Sequence, residues 1–559
     1  MASVRDLLDR LPETRRPRLA LAILCLLLWL PGFFTIPPGD RDESRFAQAT
    51  RQMVESGDYV RIRFGEVERN KKPAGIHWLQ AASVHALEAA GLPARSEIWA
   101  YRVPSLLGGI IAVLATFHFG RALVGRRAAF LGAAMLAGCF VLAMETHIAK
   151  TDAALLASVT VAMGLMGRAY LSPGTFTARQ AAGFWVVLGA AVLLKGPIGP
   201  AVALLAGVTL AIADRAPRNG APWLRALRPA WGVPLMLAAA APWFIAVSIA
   251  TEGRFLADAL GGDMLNKVGG ADENHWGPPG YYALTFGLAA FPAAFLVLRA
   301  IPHAWAERLH PATRFLLAWA VPVWLMFEAV TTKLPHYTLP AYPPLMLLAA
   351  AWALAPLRRA PPRWLRWLSV FALAGAAAGI ALAAAVLPML ADRNVSPVAL
   401  LAIPTSALLV WTVIRALREN QPARAGLLAV MLAVPLNWIV LEGVLPRLTA
   451  PWISPRLEAL VRAADPTIHD ERFGITGYHE PSLMFALGAE IRLLRDGAEA
   501  ARFLAAQPGR LVAVADRQES AFLAEAAARG ITPRDHGLVE GFNYSRGRRV
   551  AITLYGVDR

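Results

Sequence analysis

The chain has 559 residues and a mass of 60.1 kDa; 56% of its residues are hydrophobic, 17% are charged, and its mean hydropathy is +0.45. A water-facing surface on a chain this long requires more charge, so soluble globular, disordered, collagen-like and disulfide-scaffold classes are excluded. The net charge of +16 is scattered between apolar blocks instead of forming one patch, which fits membrane topology and anion binding and gives no reason to expect a nucleic-acid partner. An α-helical polytopic membrane protein is expected.

Arg15, Arg16 and Arg18 precede an apolar run, 19–36, long enough to cross a bilayer. Pro37-Pro38-Gly39-Asp40 follows it in place of a small-residue cleavage site, so the run is read as an uncleaved first span. Further apolar blocks lie at 98–120, 128–146, 153–171, 181–194, 198–213, 230–250, 281–298, 315–330, 338–357, 367–390, 397–414 and 425–446, which predicts thirteen crossings. With residues 1–18 in the cytosol, the inner connections hold 24 basic residues and the short outer ones hold one each, the positive-inside pattern. An odd number of crossings leaves the last hundred or so residues, 450–559, on the outer side. Cys25 and Cys139 both sit inside apolar runs and suggest neither a disulfide framework nor a cysteine metal site.

All 24 inner basic residues are arginine, whereas the six lysines of the chain, Lys71, Lys72, Lys150, Lys195, Lys267 and Lys333, all fall on the predicted outer side. An ammonium is a compact point charge with rotating donors. Several of these lysines are therefore expected to surround an anionic substrate at the outer face.

The domains expected are 1–449, a transmembrane body, and 450–559, a small periplasmic α/β unit. Within the first, 37–97 forms a long outer loop. Phe46, Ala49, Met53 and Val54 recur at helical spacing, and Pro73 opens a second pattern with Ile76, Leu79, Ala82, Ala86 and Leu87 on one side. Both predict amphipathic helices lying on the membrane surface, separated by an extended Val60–Phe64. In the tail, Leu511–Ala515 and Val550–Tyr555 read as strands, and Pro481–Leu487 and Ser520–Arg529 as helices.

Four constellations bear chemistry. Asp42, Glu43 and Arg45 stand at a helix start, where carboxylates either serve an acceptor or simply complement the helix dipole. Lys71 and Lys72 precede a helix N-terminus and oppose its dipole; anion binding explains them, with attraction to acidic lipid headgroups as the alternative. Lys150 and Asp152 flank one outer turn, where Asp152 also suits a helix cap. Lys333, His336 and Tyr337 bring a cation, an imidazole and a phenol to the same side. His77 and His275 could bind a divalent metal, but isolated histidines more often pack or hydrogen-bond, so no metal or other cofactor is assigned.

Asp42-Glu43-x-Arg45-Phe46-Ala47, Gly57-Asp58, Lys72-Pro73 with Trp78-Leu79, Thr151-Asp152-Ala153 and Lys333-Leu334-Pro335-x-Tyr337 resemble, in order, the motifs of the lipid A aminoarabinose transferases. These belong to the protein O-mannosyltransferase-like glycosyltransferases of GT-C type, and the likeness extends to Tyr478–Leu483 in the tail. The resemblance implies an inverting transfer of a sugar from a polyprenyl phosphate to an envelope acceptor such as lipid A, by a monomeric enzyme of the bacterial inner membrane with its active site and C-terminus periplasmic. By motif, it implies Asp42, Asp152 and Arg45 as catalytic, and Lys71, Lys72, Lys333, Tyr337 and Glu43 around the donor phosphate and sugar. One position departs: the aminoarabinose enzymes typically carry glutamate where this chain has Lys71. A cation there favours a neutral or acidic sugar, such as a uronic acid, over an aminosugar. The competing classes are a lipid-linked sugar transporter or flippase, a protein O-mannosyltransferase-like enzyme, and a structural envelope subunit.

Overall fold

The computed structural model describes residues 16–39, 41–69, 72–215, 220–258 and 276–557. Each of the thirteen apolar blocks contains helix, the conformation that satisfies backbone polar groups without water. Among the described residues, eight helices are long and apolar enough to cross a membrane, or nine when Arg126–Gly138 and Phe140–Thr146 count as one span. That pair is bent by 63°. At the bend Cys139 turns to extended backbone, and Phe140 N–H leaves the helical ladder to donate to Phe291 O at 2.8 Å. Pro17–Trp29, Ile198–Ala213, Ala294–Ala306 and Leu339–Leu354 are apolar but shorter. Block 281–298 is split between Tyr281–Ala289 and Ala294–Ala306. Among the described residues the apolar blocks thus return as helices of full spanning length together with shorter or broken ones.

Close helix crossings fix the rim where the candidate residues lie. A Cβ at Gly108 of helix Ile98–Val124 would stand 2.7 Å from Ala154 N, so this helix meets the start of helix Asp152–Leu171 backbone to backbone. At Gly75 a Cβ would stand 2.6 Å from Leu193 O, so the helix that follows Lys72 docks against the end of helix Ala178–Lys195. Only glycine permits either approach.

The two loop helices form at Asp42–Ser56 and Gly75–Ala89. Helix Gly75–Ala89 buries Ile76, His77, Gln80, Ala81 and Val84 on one side and leaves Leu79 exposed on another. Helix Asp42–Ser56 buries Glu43, Ser44, Phe46, Gln48, Thr50 and Met53, residues from around its whole circumference. It is wedged between the helical body and the C-terminal segment, touching the latter through Arg51 Nη1, which donates to Phe485 O at 2.9 Å. The extended piece between the two helices is a short hairpin, β1 (Arg63–Phe64) with β2 (Val67–Glu68).

From Ile453 onward the chain folds around its own apolar clusters. Five strands, β3 (Phe473–Thr476), β4 (Arg492–Leu494), β5 (Leu511–Ala515), β6 (Arg534–Asn543) and β7 (Arg548–Gly556), form one sheet in the order β4-β3-β5-β7-β6. Strand β3 runs parallel to β4 and β5, while β7 is antiparallel to β5 and β6. Helix Pro481–Leu487 forms at its predicted bounds, and the second predicted helix spans Asp516–Ala528.

Candidate active site

Five stretches of chain meet at this rim. Helix Asp42–Ser56 brings Asp42, Arg45 and Phe46, and the chain after β2 brings Arg69 and then Lys72. Glu145 ends the bent span, Lys150 lies in the next turn, and Asp152 opens the following helix. Lys195 is the last residue of its helix, and His336 and Tyr337 come from the loop before Leu339. Asp152 at a helix N-terminus and Lys195 at a helix C-terminus each complement a dipole, so both positions are locally favourable for these charges.

Lys195 Nζ donates to Asp152 Oδ1 at 2.5 Å and stands 5.1 Å from the centre of the Tyr337 ring. Lys150 Nζ is 3.0 Å from Glu145 Oε1 and 3.8 Å from Asp152 Oδ2. His336 lies between the two acids, with Nδ1 3.4 Å from Glu145 Oε1 and Nε2 3.7 Å from Asp152 Oδ1. Its imidazole is held neutral, well below its ordinary range. Burial is the main cause, opposed by Asp152 and reinforced by Lys150, Lys195 and Lys72.

In a second cluster, Arg69 and Lys72 both lie over the Phe46 ring, at 4.8 and 5.1 Å from its centre. Beneath, His77 stacks on Phe46 and shares a hydrogen bond with Thr50 Oγ1 at 2.7 Å, and Thr50 donates onward to Gln80. The His77 pKa is pushed down to about 3 by burial, with Arg69 and Lys72 adding to the effect. Asp42 is half-exposed, 3.8 Å from Arg69 Nη2. Burial raises its carboxyl, but Lys72, Arg69, Lys150 and Arg45 together outweigh that and hold it below the usual carboxylate range. The two clusters therefore share one electrostatic field: Lys150 acts on Asp42, and Lys72 acts on His336.

Two of the expected donor-binding residues are engaged elsewhere. Glu43 is buried, taking two hydrogen bonds from Arg102, at 2.8 and 3.0 Å, one from Gly39 N and one from Ala149 N. All its acceptor capacity goes to anchoring the start of the helix. Lys333 Nζ donates to Glu328 O at 2.8 Å and Val330 O at 2.6 Å, capping the end of helix Pro311–Ala329. Glu328, the acid deep in a late block, accepts from Gly280 N and Tyr282 N at the start of another helix. Lys71, Lys267 and His275 lie outside the described residues.

Arg69 and Glu145 were not singled out from the sequence. The signal available for Glu145 is a carboxylate inside an apolar block, which marks a functional position by its cost. Arg69 shows no such signal, because it gains its place only when the β1–β2 hairpin folds back.

The architecture is that of a helical membrane protein with a C-terminal α/β segment. Over 97% of this chain and 98% of that one, at 18% identity, it superposes on the crystal structure of ArnT from Cupriavidus metallidurans bound to undecaprenyl phosphate with a TM-score of 0.74. The Archaeoglobus fulgidus oligosaccharyltransferase is more distant, with a TM-score of 0.52, 13% identity and coverage of 90% and 70% of the two chains. In sequence, residues 71–245 match the dolichyl-phosphate-mannose-protein mannosyltransferase family. The chain is also similar to the undecaprenyl phosphate-alpha-4-amino-4-deoxy-L-arabinose arabinosyl transferases. It is 28% identical to that of Pectobacterium carotovorum over 379 residues, 65% of this chain and 64% of the relative. To that of Shewanella sediminis it is 25% identical over 345 residues, 60% of each. The matches thus span less than two thirds of these relatives' length. The chain is ArnT-like in both fold and sequence.

Proposed function

We propose that the chain is a polyprenyl-phosphate-sugar-dependent glycosyltransferase, moving a sugar from undecaprenyl phosphate to lipid A or a related envelope acceptor at the periplasmic face of the inner membrane. The observation that carries this reading is the gathering of cations around a few carboxylates. Lys72, Arg69, Lys150 and Arg45 all act on Asp42, and Lys195 joins Lys150 in acting on Asp152. Such a field suits a phosphate whose negative charge grows during the reaction. The donor is a diester with one negative charge, and the second appears as its bond to the anomeric carbon breaks. Cations placed where charge develops lower the barrier instead of merely tightening donor binding.

In this reading Lys72 and Arg69, fixed over Phe46, meet the donor phosphate, with Lys150 and Lys195 on its other side. The acceptor oxygen attacks the anomeric carbon from the face opposite the phosphate, and the carbon–oxygen bond to the phosphate breaks with its electron pair. A phosphate acceptor arrives ionised and needs no base, so Asp42 orients it. A hydroxyl acceptor gives its proton to Asp42, whose carboxylate is held ionised by its cationic neighbours.

For the sugar, Lys71 in place of the family's glutamate supports a uronic acid. The test is transfer by the purified protein in lipid, offered undecaprenyl-phosphate galacturonic acid and undecaprenyl-phosphate aminoarabinose. Faster transfer of the uronic acid supports the reading, and preference for the aminosugar overturns it. Absence of transfer from both, with lipid A and other envelope lipids as acceptors, overturns the enzyme assignment.

A further inference from the structure

Residues 41, 42 and 43 are consecutive, yet each serves a different part of the molecule. Glu43 is clamped by Arg102 of the helical body. Arg41 points the other way, and its Nη2 donates to Ser545 O at 2.7 Å, in the turn joining β6 to β7. Between them Asp42 is left to the chamber.

Both the turn and Arg41 are held under constraint. Asn543, at the end of β6, is buried and donates to Glu480 Oε1 at 2.8 Å, while its own Oδ1 accepts from Arg546 N at 3.0 Å. Arg546 Nε is 3.5 Å from the same Glu480 oxygen. Glu480 in turn precedes helix Pro481–Leu487, which packs against helix Asp42–Ser56 and receives Arg51 at Phe485 O. Arg41 itself has φ +63° and ψ −108°, a conformation that L side chains rarely adopt. Glycine would hold that backbone without strain, so the arginine is retained against a local conformational cost.

We propose that the β6–β7 turn is a positioning element for the reaction and that Arg41 couples it to Asp42. The C-terminal segment then sets the rotation of the first helical turn, and with it the direction of the Asp42 carboxylate. This inference rests on the reading of Asp42 as the carboxylate that serves the acceptor.

The experiment uses the full chain in lipid nanodiscs, with Arg41→Gly, Arg41→Lys, Asn543→Ala, the Arg41→Gly/Asn543→Ala pair and Asp42→Asn, following sugar transfer and thermal unfolding together. Arg41→Gly relieves the backbone and is expected to unfold at the same or a higher temperature. Its kcat is expected to fall roughly 10–100-fold, as for displaced reacting groups, with the donor KM changed by less than about twofold. Arg41→Lys restores part of kcat. Asn543→Ala lowers kcat in the parent chain and adds little to Arg41→Gly, because both act through the same contact. Wild-type kcat in Arg41→Gly, with Asp42→Asn inactive, overturns the coupling alone. An active Asp42→Asn overturns the underlying reading and the coupling with it. Loss of kcat in parallel with a lowered unfolding temperature assigns Arg41 a purely structural role and also overturns the proposal.

Discussion

Replacing Arg102 with methionine isolates the clamp that fixes the start of helix Asp42–Ser56. Arg102 is fully buried and makes five hydrogen bonds: two to Glu43 at 2.8 and 3.0 Å, and three to the carbonyls of Phe33, Ile36 and Pro37 at 3.2, 2.7 and 3.1 Å. Methionine fills much of the volume and supplies no donor. Glu43 then keeps only the amides of Gly39 and Ala149, with its carboxylate 4% exposed. Removing one partner of such a buried pair costs about 3–5 kcal/mol, since the remaining charge is uncompensated. At about 1.4 kcal/mol per power of ten, that weakens the folding equilibrium by a factor of roughly a hundred to a few thousand. Unfolding of the purified protein in mixed micelles, followed by tryptophan fluorescence, measures the loss. Glu43→Gln and the Arg102→Met/Glu43→Gln pair complete a double-mutant cycle. The pair is expected to cost much less than the sum of the two single changes, because the uncompensated charge is gone. A loss below about 1 kcal/mol for Arg102→Met, or strict additivity, refutes the clamp.

Three further outcomes follow from the chamber. Lys72→Ala is expected to reduce kcat/KM for the donor by roughly 100–1000-fold, the usual effect of deleting one charge-stabilising donor; Lys72→Arg keeps the charge and should retain part of the rate, and equal loss in both would show that geometry and not charge is at stake. Because Asp42 is held below the ordinary carboxylate range by Lys72, Arg69, Lys150 and Arg45, the acidic limb of the transfer rate lies below the range of a free carboxylate, and Lys72→Ala moves that limb to higher pH; an unmoved limb assigns it to another group. His77 takes up its proton only near pH 3 in the folded chain, against 6.5 for the free side chain. The unfolded chain therefore binds more protons between these values, and stability falls as the pH drops from 6.5 towards 3. His77→Gln should flatten that slope in unfolding curves recorded from pH 7 to 4.

Much of the helical body was legible because lipid allows little choice. A run of apolar residues must satisfy its backbone internally, so blocks such as 98–120 and 153–171 return as helices with nearly the same bounds. Helix Pro481–Leu487 and strand Leu511–Ala515 were readable for a similar local reason, a proline start in one and a β-branched apolar run in the other. The span count was less legible, because hydropathy reports burial in apolar surroundings without distinguishing a full crossing from a short or broken helix, as at Cys139.

The sequence by itself determined the solvent in which this chain folds and the residue types its site employs: lysines segregated to one side, with carboxylates and aromatics beside them. Which of those residues meet was decided by tertiary structure. Lys333 and Glu43 carry the right charges in the right motifs, yet their side chains are taken up by a helix end and by Arg102, whereas Arg69 and Glu145 enter the chamber from stretches with little or no local signature. The physical reason is range. Burial preference and helix propensity act over a few neighbours along the chain, but a charge finds its partner across hundreds of residues, through close approaches such as Gly75 on Leu193 that exist only once the helices have packed.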